Sequence, residues 1–148
     1  MIYKEEKRDL FSVPDNYYLA HCISADFALG KGIAVEFNKR FDMRNKLKSK
    51  YPDYLRFFCE DFDYDGDCII ESKTLNLITK RRYYQKPTYN SLRDSLEWMK
   101  IVCKNNNIHK VAMPKIGCGL DRLEWDKVSE IIKDVFKDTN IEILVCVR

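Results

Sequence analysis

One pattern constrains this chain more than any other: a short apolar run, a Gly-x-Gly turn and an amphipathic stretch, occurring twice. Residues 17–23 (Tyr-Tyr-Leu-Ala-His-Cys-Ile) lead into Gly30-Lys-Gly32 and then Ile33, Val35, Phe37 and Phe41. Val111-Ala-Met-Pro114 leads into Gly117-Cys-Gly119 and then Val128, Ile131, Ile132, Val135 and Phe136. These four glycines are most of the five in the chain. An apolar run without alternation is a strand covered on both faces, and strands alternating with helices give an α/β layered fold. Glycine allows positive φ and close backbone approach, and a loop that enters a helix offers free N–H groups at the positive end of the helix dipole. Two such loops at strand ends suit a diphosphate held from both sides. Neither follows the six-residue dinucleotide fingerprint, and no Gly-Lys-Ser/Thr is present, so Rossmann and P-loop readings lose ground.

At 148 residues, 45% hydrophobic and 33% charged, the chain has the composition of a globular domain. No repeat or linker marks a second unit, so residues 1–148 are read as one domain. The remaining elements follow from apolar period. Ile69-Ile70 and residues 75–79 predict a hairpin. Lys86-Pro-Thr opens the clearest helix, with Leu92, Leu96, Met99, Val102 and Cys103 on one face until Asn105-Asn-Asn107. The first helix is expected to run from Ile33 to the lysines at 46–50, and residues 141–147 to close the sheet. The acidic run Asp61-x-Asp63-x-Asp65-Gly66-Asp67 mimics the start of an EF-hand, but Ser72 stands at the twelfth position, so it reads as an acidic turn.

Several function classes are excluded. Six cysteines, at 22, 59, 68, 103, 118 and 146, form no C-x-x-C pair, which argues for reduced thiols rather than zinc or disulfides. With two histidines, 21 and 109, and no acidic partner spacing, no metal site and no Cys-His nucleophile through Cys118 are expected; His21 reads as a satisfied core residue. A net charge of +3 with mixed signs is too mild for a nucleic-acid footprint, despite Lys80-Arg81-Arg82. No run is long enough to span a bilayer, and the charged N-terminus is not a secretory signal. A cytoplasmic location is expected, or a nuclear one in a eukaryote, with a monomeric state and no membrane partner.

The segments Leu19-Ala-His-Cys-Ile-Ser24, Gly30-Lys-Gly-Ile-Ala-Val35, Leu77-Ile-Thr-Lys80, Lys86-Pro-Thr-Tyr89 and Met113-Pro-Lys-Ile-Gly-Cys-Gly-Leu-Asp-Arg-Leu-Glu-Trp125 resemble the macro domains of the terminal ADP-ribose protein glycohydrolase branch, which includes bacterial antitoxin macro domains. The resemblance runs from about Lys7 to the C-terminus. It implies a three-layer α/β/α sandwich with a mixed sheet of about six strands and ADP-ribose in a crevice at the strand ends. It places Asp9 and Leu10 beside the adenine, and Ser24, Gly30, Gly32 and Ile33 at the first loop. Lys115, Ile116, Gly117, Cys118, Gly119 and Leu120 would form the second loop, and Arg148 is a further ligand-binding candidate. The family's catalytic lysine matches Lys80 and its aspartate Asp121. Cys146 stands where a relative carries an aromatic near adenine.

Those two residues supply the chemistry. The distal ribose has an electrophilic anomeric carbon, and a lysine amine attacking it would expel a carboxylate and leave a lysyl adduct. Asp121 would act as base, orient the ribose or help resolve the adduct. Without the resemblance, Lys80 reads as part of a solvated basic cluster and Asp121 as a helix N-terminal acid. The leading expectation is a hydrolase that removes mono-ADP-ribose from Glu or Asp side chains of proteins, and that also deacylates O-acetyl-ADP-ribose, with no cofactor. Two alternatives stand: removal of ADP-ribose from DNA bases, and a reader that binds ADP-ribose or ADP-ribosylated proteins without turnover.

Overall fold

A computed structural model describes residues 1–58 and 65–148. One six-stranded mixed sheet carries the fold, in the order β1-β6-β5-β2-β4-β3. Its strands are β1 (Ile2–Lys7), β2 (Tyr18–Ser24), β3 (Asp67–Glu71), β4 (Thr74–Lys80), β5 (Lys110–Met113) and β6 (Glu142–Val147). Only β3 runs antiparallel to its neighbour, β4. The helices are α1 (Ala34–Phe41), α2 (Met43–Lys50), α3 (Tyr54–Arg56), α4 (Tyr89–Asn105) and α5 (Trp125–Phe136).

The strands read as continuous apolar runs because both faces are covered. Ala20, Leu75, Leu77, Val111, Met113, Ile143 and Val145 point to one side, where Leu92, Leu96 and Met99 of α4 and Val128, Ile132 and Phe136 of α5 pack on them. Alternate residues point the other way. Ile23 and Ile78 meet Ala34, Met43 and Leu47, and Ala112, Leu144 and Cys146 meet Phe37 of α1 and Leu10. Three layers result, as the resemblance implied.

Three local differences from the sequence reading have physical causes. The first helix is two: Asp42 adopts the left-handed conformation (φ 52°, ψ 42°) and closes α1 through its N–H to Asn38 O, a conformation that Asp tolerates better than most residues. Strand β1 is additional. It is an edge strand of mostly exposed, charged residues, the usual protection of an open edge, and so carries no apolar signal. The hairpin of β3 and β4 is present, but turns on Ser72 and Lys73, both at positive φ (51° and 58°), instead of the Asn-Gly that would announce a two-residue turn. Asp61 and Asp63 of the acidic run, and Cys59, lie outside the described residues; Asp67 opens β3. No described helix is long and apolar enough to cross a membrane.

His21 is wholly buried on β2. Its Nε2 bonds Asn76 Oδ1 at 2.7 Å and its ring stacks on Phe37 at 3.8 Å. Burial lowers its pKa to about 4, so it is neutral. It is a core histidine, satisfied at one nitrogen: Nδ1 has no hydrogen-bond partner among the described residues.

Candidate active site

At the C-terminal ends of β2, β4 and β5 the chain leaves an open cavity of about 740 Å³. That volume suits a ligand of cofactor size, and strand ends are where α/β sheets place such ligands. The first glycine loop forms one wall. Phe27 (φ 53°) and Leu29 (φ 45°) are held at positive φ with their side chains buried. The Arg44 guanidinium of α2 donates to Ala28 O at 2.8 Å and reaches Leu29 O at 3.4 Å, which engages those carbonyls on the helix side. Gly32, at φ 61°, then turns the chain into α1, whose N-terminus no side chain caps. Gly32, Ile33 and Ala34, at the entry to α1, line the cavity beside the positive end of the helix dipole.

The opposite wall is the second loop. Gly117 (φ 74°) starts a pair of turns, closed by Leu123 N donating to Gly117 O at 2.8 Å and Arg122 N donating to Gly119 O at 3.2 Å. Tyr89 Oη receives Glu124 N–H at 3.0 Å, and α5 begins only at Trp125.

Lys80 ends β4. The register with β2 skips Thr79, pairing Ile23 with Ile78 and then Ser24 with Lys80. Such irregularities re-aim a side chain at a strand end. Lys80 Nζ lies 2.7 Å from Asp121 Oδ1, and the two side chains are 14% and 16% exposed. Arg81 and Arg82 are exposed, so Lys80 is separate from the solvated basic cluster. Asp121 lies four residues before α5, and Glu124 is that helix's N-cap, so Asp121 is not a helix-start acid. Two thiols are near: burial raises the pKa of Cys22 and of Cys118, so both are protonated and poor nucleophiles. Among the described residues no group of His, Cys, Asp and Glu is arranged to hold a metal.

Most of the expected site residues meet at this cavity. Ser24, Gly30, Gly32, Ile33, Lys80, Lys115, Ile116, Gly117, Gly119, Leu120 and Asp121 all line it. Cys118 does not; its thiol turns inward to Ile116 O at 3.3 Å. Asp9, Leu10 and Arg148 also lie outside the lining, grouped beyond Ile33. Asp9 caps the short helix 10–12, accepting Phe11 N–H at 2.9 Å, and Arg148 sits 3.4 Å from its other oxygen. The Phe11 N–H bond, followed by the Arg148 charge, holds the Asp9 pKa below its ordinary value. Leu10 is buried with Cys146, and Ile33 packs against that cluster, which links it to the cavity. Cys22, Lys31, Tyr83, Tyr84 and Lys86 line the cavity as well. Of these, Lys31 falls inside the first loop, which the resemblance places at Gly30 to Ile33, and Cys22 and Lys86 lie within segments carrying the resemblance; Tyr83 and Tyr84 were not singled out, since an exposed tyrosine pair has no signature of its own.

Comparison with known proteins decides the family. A profile described as Macro domain matches residues 70–132. The chain is 44% identical over 141 residues to the ADP-ribose glycohydrolase OARD1 of Bos taurus, covering 94% of this chain and 87% of that protein. The chain belongs to the macro-domain family. The human protein of the same name is 43% identical over the same coverage. Among solved structures, the macrodomain of Mycobacterium tuberculosis DarG superposes with a TM-score of 0.80 at 18% identity, covering 98% of this chain and 97% of that one. Thermosipho africanus DarTG in complex with ADP-ribose gives 0.75 at 18% identity, covering 99% of this chain and 42% of that one. At such identities these structures speak for the macro fold alone.

Proposed function

We propose that this macro domain binds ADP-ribose in the cavity between its glycine loops and hydrolyses the bond from the distal ribose to a Glu or Asp side chain of a modified protein. The observation that carries this reading is the Lys80–Asp121 pair, at 2.7 Å and largely buried, in the wall of that cavity. Binding alone needs no such pair, and the bovine and human relatives are named ADP-ribose glycohydrolases.

The diphosphate sits between the N-terminus of α1 and the second loop, with the adenine directed past Ile33 toward Asp9 and Leu10. Asp9, kept ionised, accepts from the adenine amino group. The distal ribose then lies between Lys80 and Asp121. An ammonium cannot attack, so Lys80 reacts as its neutral amine, its proton gone to solvent, and its nitrogen bonds to the anomeric carbon. The bond from that carbon to the acceptor oxygen breaks, and the acceptor leaves as a carboxylate, a good leaving group that needs no added proton. Asp121 then takes a proton from the water that adds to the anomeric carbon, the C–N bond breaks, Lys80 leaves as the neutral amine, and the proton on Asp121 passes to solvent. O-acetyl-ADP-ribose, another ester, fits the same site.

The test is release of ADP-ribose from a glutamate-modified protein beside a thymidine-modified single-stranded DNA. Release from the protein alone is expected. Release from DNA alone would replace the acceptor in this reading, and binding without either release would make the domain a reader.

A further inference from the structure

Residues 81–86 run across the mouth of the cavity from one glycine loop to the other. The segment leaves Lys80 and is fastened at both ends. At one end the Asp26 carboxylate accepts Tyr83 N–H at 3.0 Å through Oδ2. Asp26 Oδ1 meanwhile serves the first loop, accepting from Ser24 Oγ and from Ala28 N–H at 3.3 Å. The backbone adds Ala25 N to Lys80 O at 2.9 Å and Asp26 N to Arg81 O at 3.2 Å. At the other end Lys86 Nζ donates to Leu120 O at 2.6 Å, one residue before Asp121. Arg82 and Gln85 close a turn between them, Gln85 Oε1 accepting Arg82 N–H at 2.8 Å.

We propose that this segment is a strap with two positioning residues, Asp26 and Lys86, which together fix Lys80 relative to Asp121. The nucleophile and its carboxylate are 41 positions apart in sequence and stand on different elements. The strap joins the end of Lys80's strand to the loop bearing Asp121, and Asp26 anchors it to the phosphate-binding wall. Tyr83 and Tyr84, 58% and 65% exposed, ride on it with rings 5.4 Å apart.

The two oxygens of Asp26 make the claim separable. In Asp26→Asn the amide oxygen is drawn to the side with two donors, Ser24 Oγ and Ala28 N, which leaves an NH₂ facing Tyr83 N–H. That substitution unlatches the strap and spares the first loop, whereas Asp26→Ala disturbs both. Lys86→Met removes the other latch at similar length. The inference rests on the hydrolase reading for its kinetic arm only; hydrogen exchange tests the latch independently.

The experiment measures amide exchange at residues 81–86, the affinity for ADP-ribose, and kcat on glutamate-linked ADP-ribose. Asp26→Asn and Lys86→Met should each speed exchange at Tyr83 and lower kcat about tenfold, the order of one lost charge-assisted hydrogen bond; in Asp26→Asn, which leaves the cavity lining intact, ADP-ribose affinity should stay within about twofold. The double variant should lose little more kcat than the worse single, because both latches hold one element, and Lys86→Arg should restore it. Unchanged Tyr83 exchange in Asp26→Asn overturns the strap. So do faster exchange with wild-type kcat, or losses of kcat that add in the double variant. Wild-type protein that releases no ADP-ribose would instead refute the hydrolase reading, and the exchange result would still decide the latch.

Discussion

The two glycine loops read alike in sequence, yet they are held in different ways. In the first, Gly32 stands two residues before α1, and Arg44 and the buried side chains of Phe27 and Leu29 fix the backbone from behind. In the second, five residues separate Gly119 from α5, Leu120 is 59% exposed, and the turns close on the loop's own backbone. A loop braced by the core and ending in a helix dipole suits a fixed anion. A self-closed loop that carries an aspartate toward a lysine suits chemistry on the group beyond it. Shared glycine spacing conceals this structural difference.

Five perturbations break or sharpen that contrast. The largest effect is expected from Asp121→Ala in the second region, with turnover falling by about 10² to 10⁴, the usual contribution of a positioned acid or base, while ADP-ribose binding persists. Steady-state kinetics beside calorimetry separates the two, and intact-mass analysis of the same variant should reveal a trapped lysyl adduct.

Acid should act on the first region through His21, which stacks on Phe37 of α1. Its pKa is about 4 when folded, against an ordinary 6.5. Between those values the unfolded chain binds more protons, so stability falls as pH drops below about 6.5 and the loss is complete below about 4. The full loss is about 3 kcal/mol from this group. Urea melts at pH 7 and pH 4, compared with those of a His21→Gln variant, isolate it.

Gly117→Ala should lower stability by about 1 to 3 kcal/mol, because a Cβ would be held at φ 74° and would lie 3.0 Å from Leu123 Cδ1. Gly32→Ala meets only ordinary contact, with Leu120 Cδ1 at 3.9 Å, and strains φ alone. About 1 kcal/mol of stability is expected to be lost there, read from urea melts. The smallest effect, within about 0.5 kcal/mol, belongs to Gly119→Ala, where nothing lies within 4 Å of the added carbon. Equal effects at 117 and 119 would erase the distinction between a hinge of the loop and a passenger in it.

Much of this was legible before the structure. Apolar runs without alternation predicted strands covered on both faces, because burial on two sides leaves no polar residue to interrupt the run. The period of α4 was legible for the complementary reason, one buried stripe on a long helix. Lys80 and Asp121 were legible only through the resemblance: taken alone, a basic cluster and a helix-start acid fit the residues better. Their burial against each other comes from a strand irregularity at Thr79 and a turn closed by backbone groups, neither of which leaves a mark in residue type. The edge strand β1 and the helix break at Asp42 were hidden for like reasons, the one by its charges and the other by a conformation that any Asp in a polar stretch is free to adopt. Tyr83 and Tyr84 gave no signal because exposed aromatics on a loop have no period.

Release of ADP-ribose from a glutamate-modified protein by wild type and by Lys80→Ala, with ADP-ribose affinity measured on both, tests the central claim most directly. Turnover by wild type and none by Lys80→Ala, at retained affinity, is the predicted result. Turnover by Lys80→Ala at the wild-type rate would contradict it and remove the covalent route.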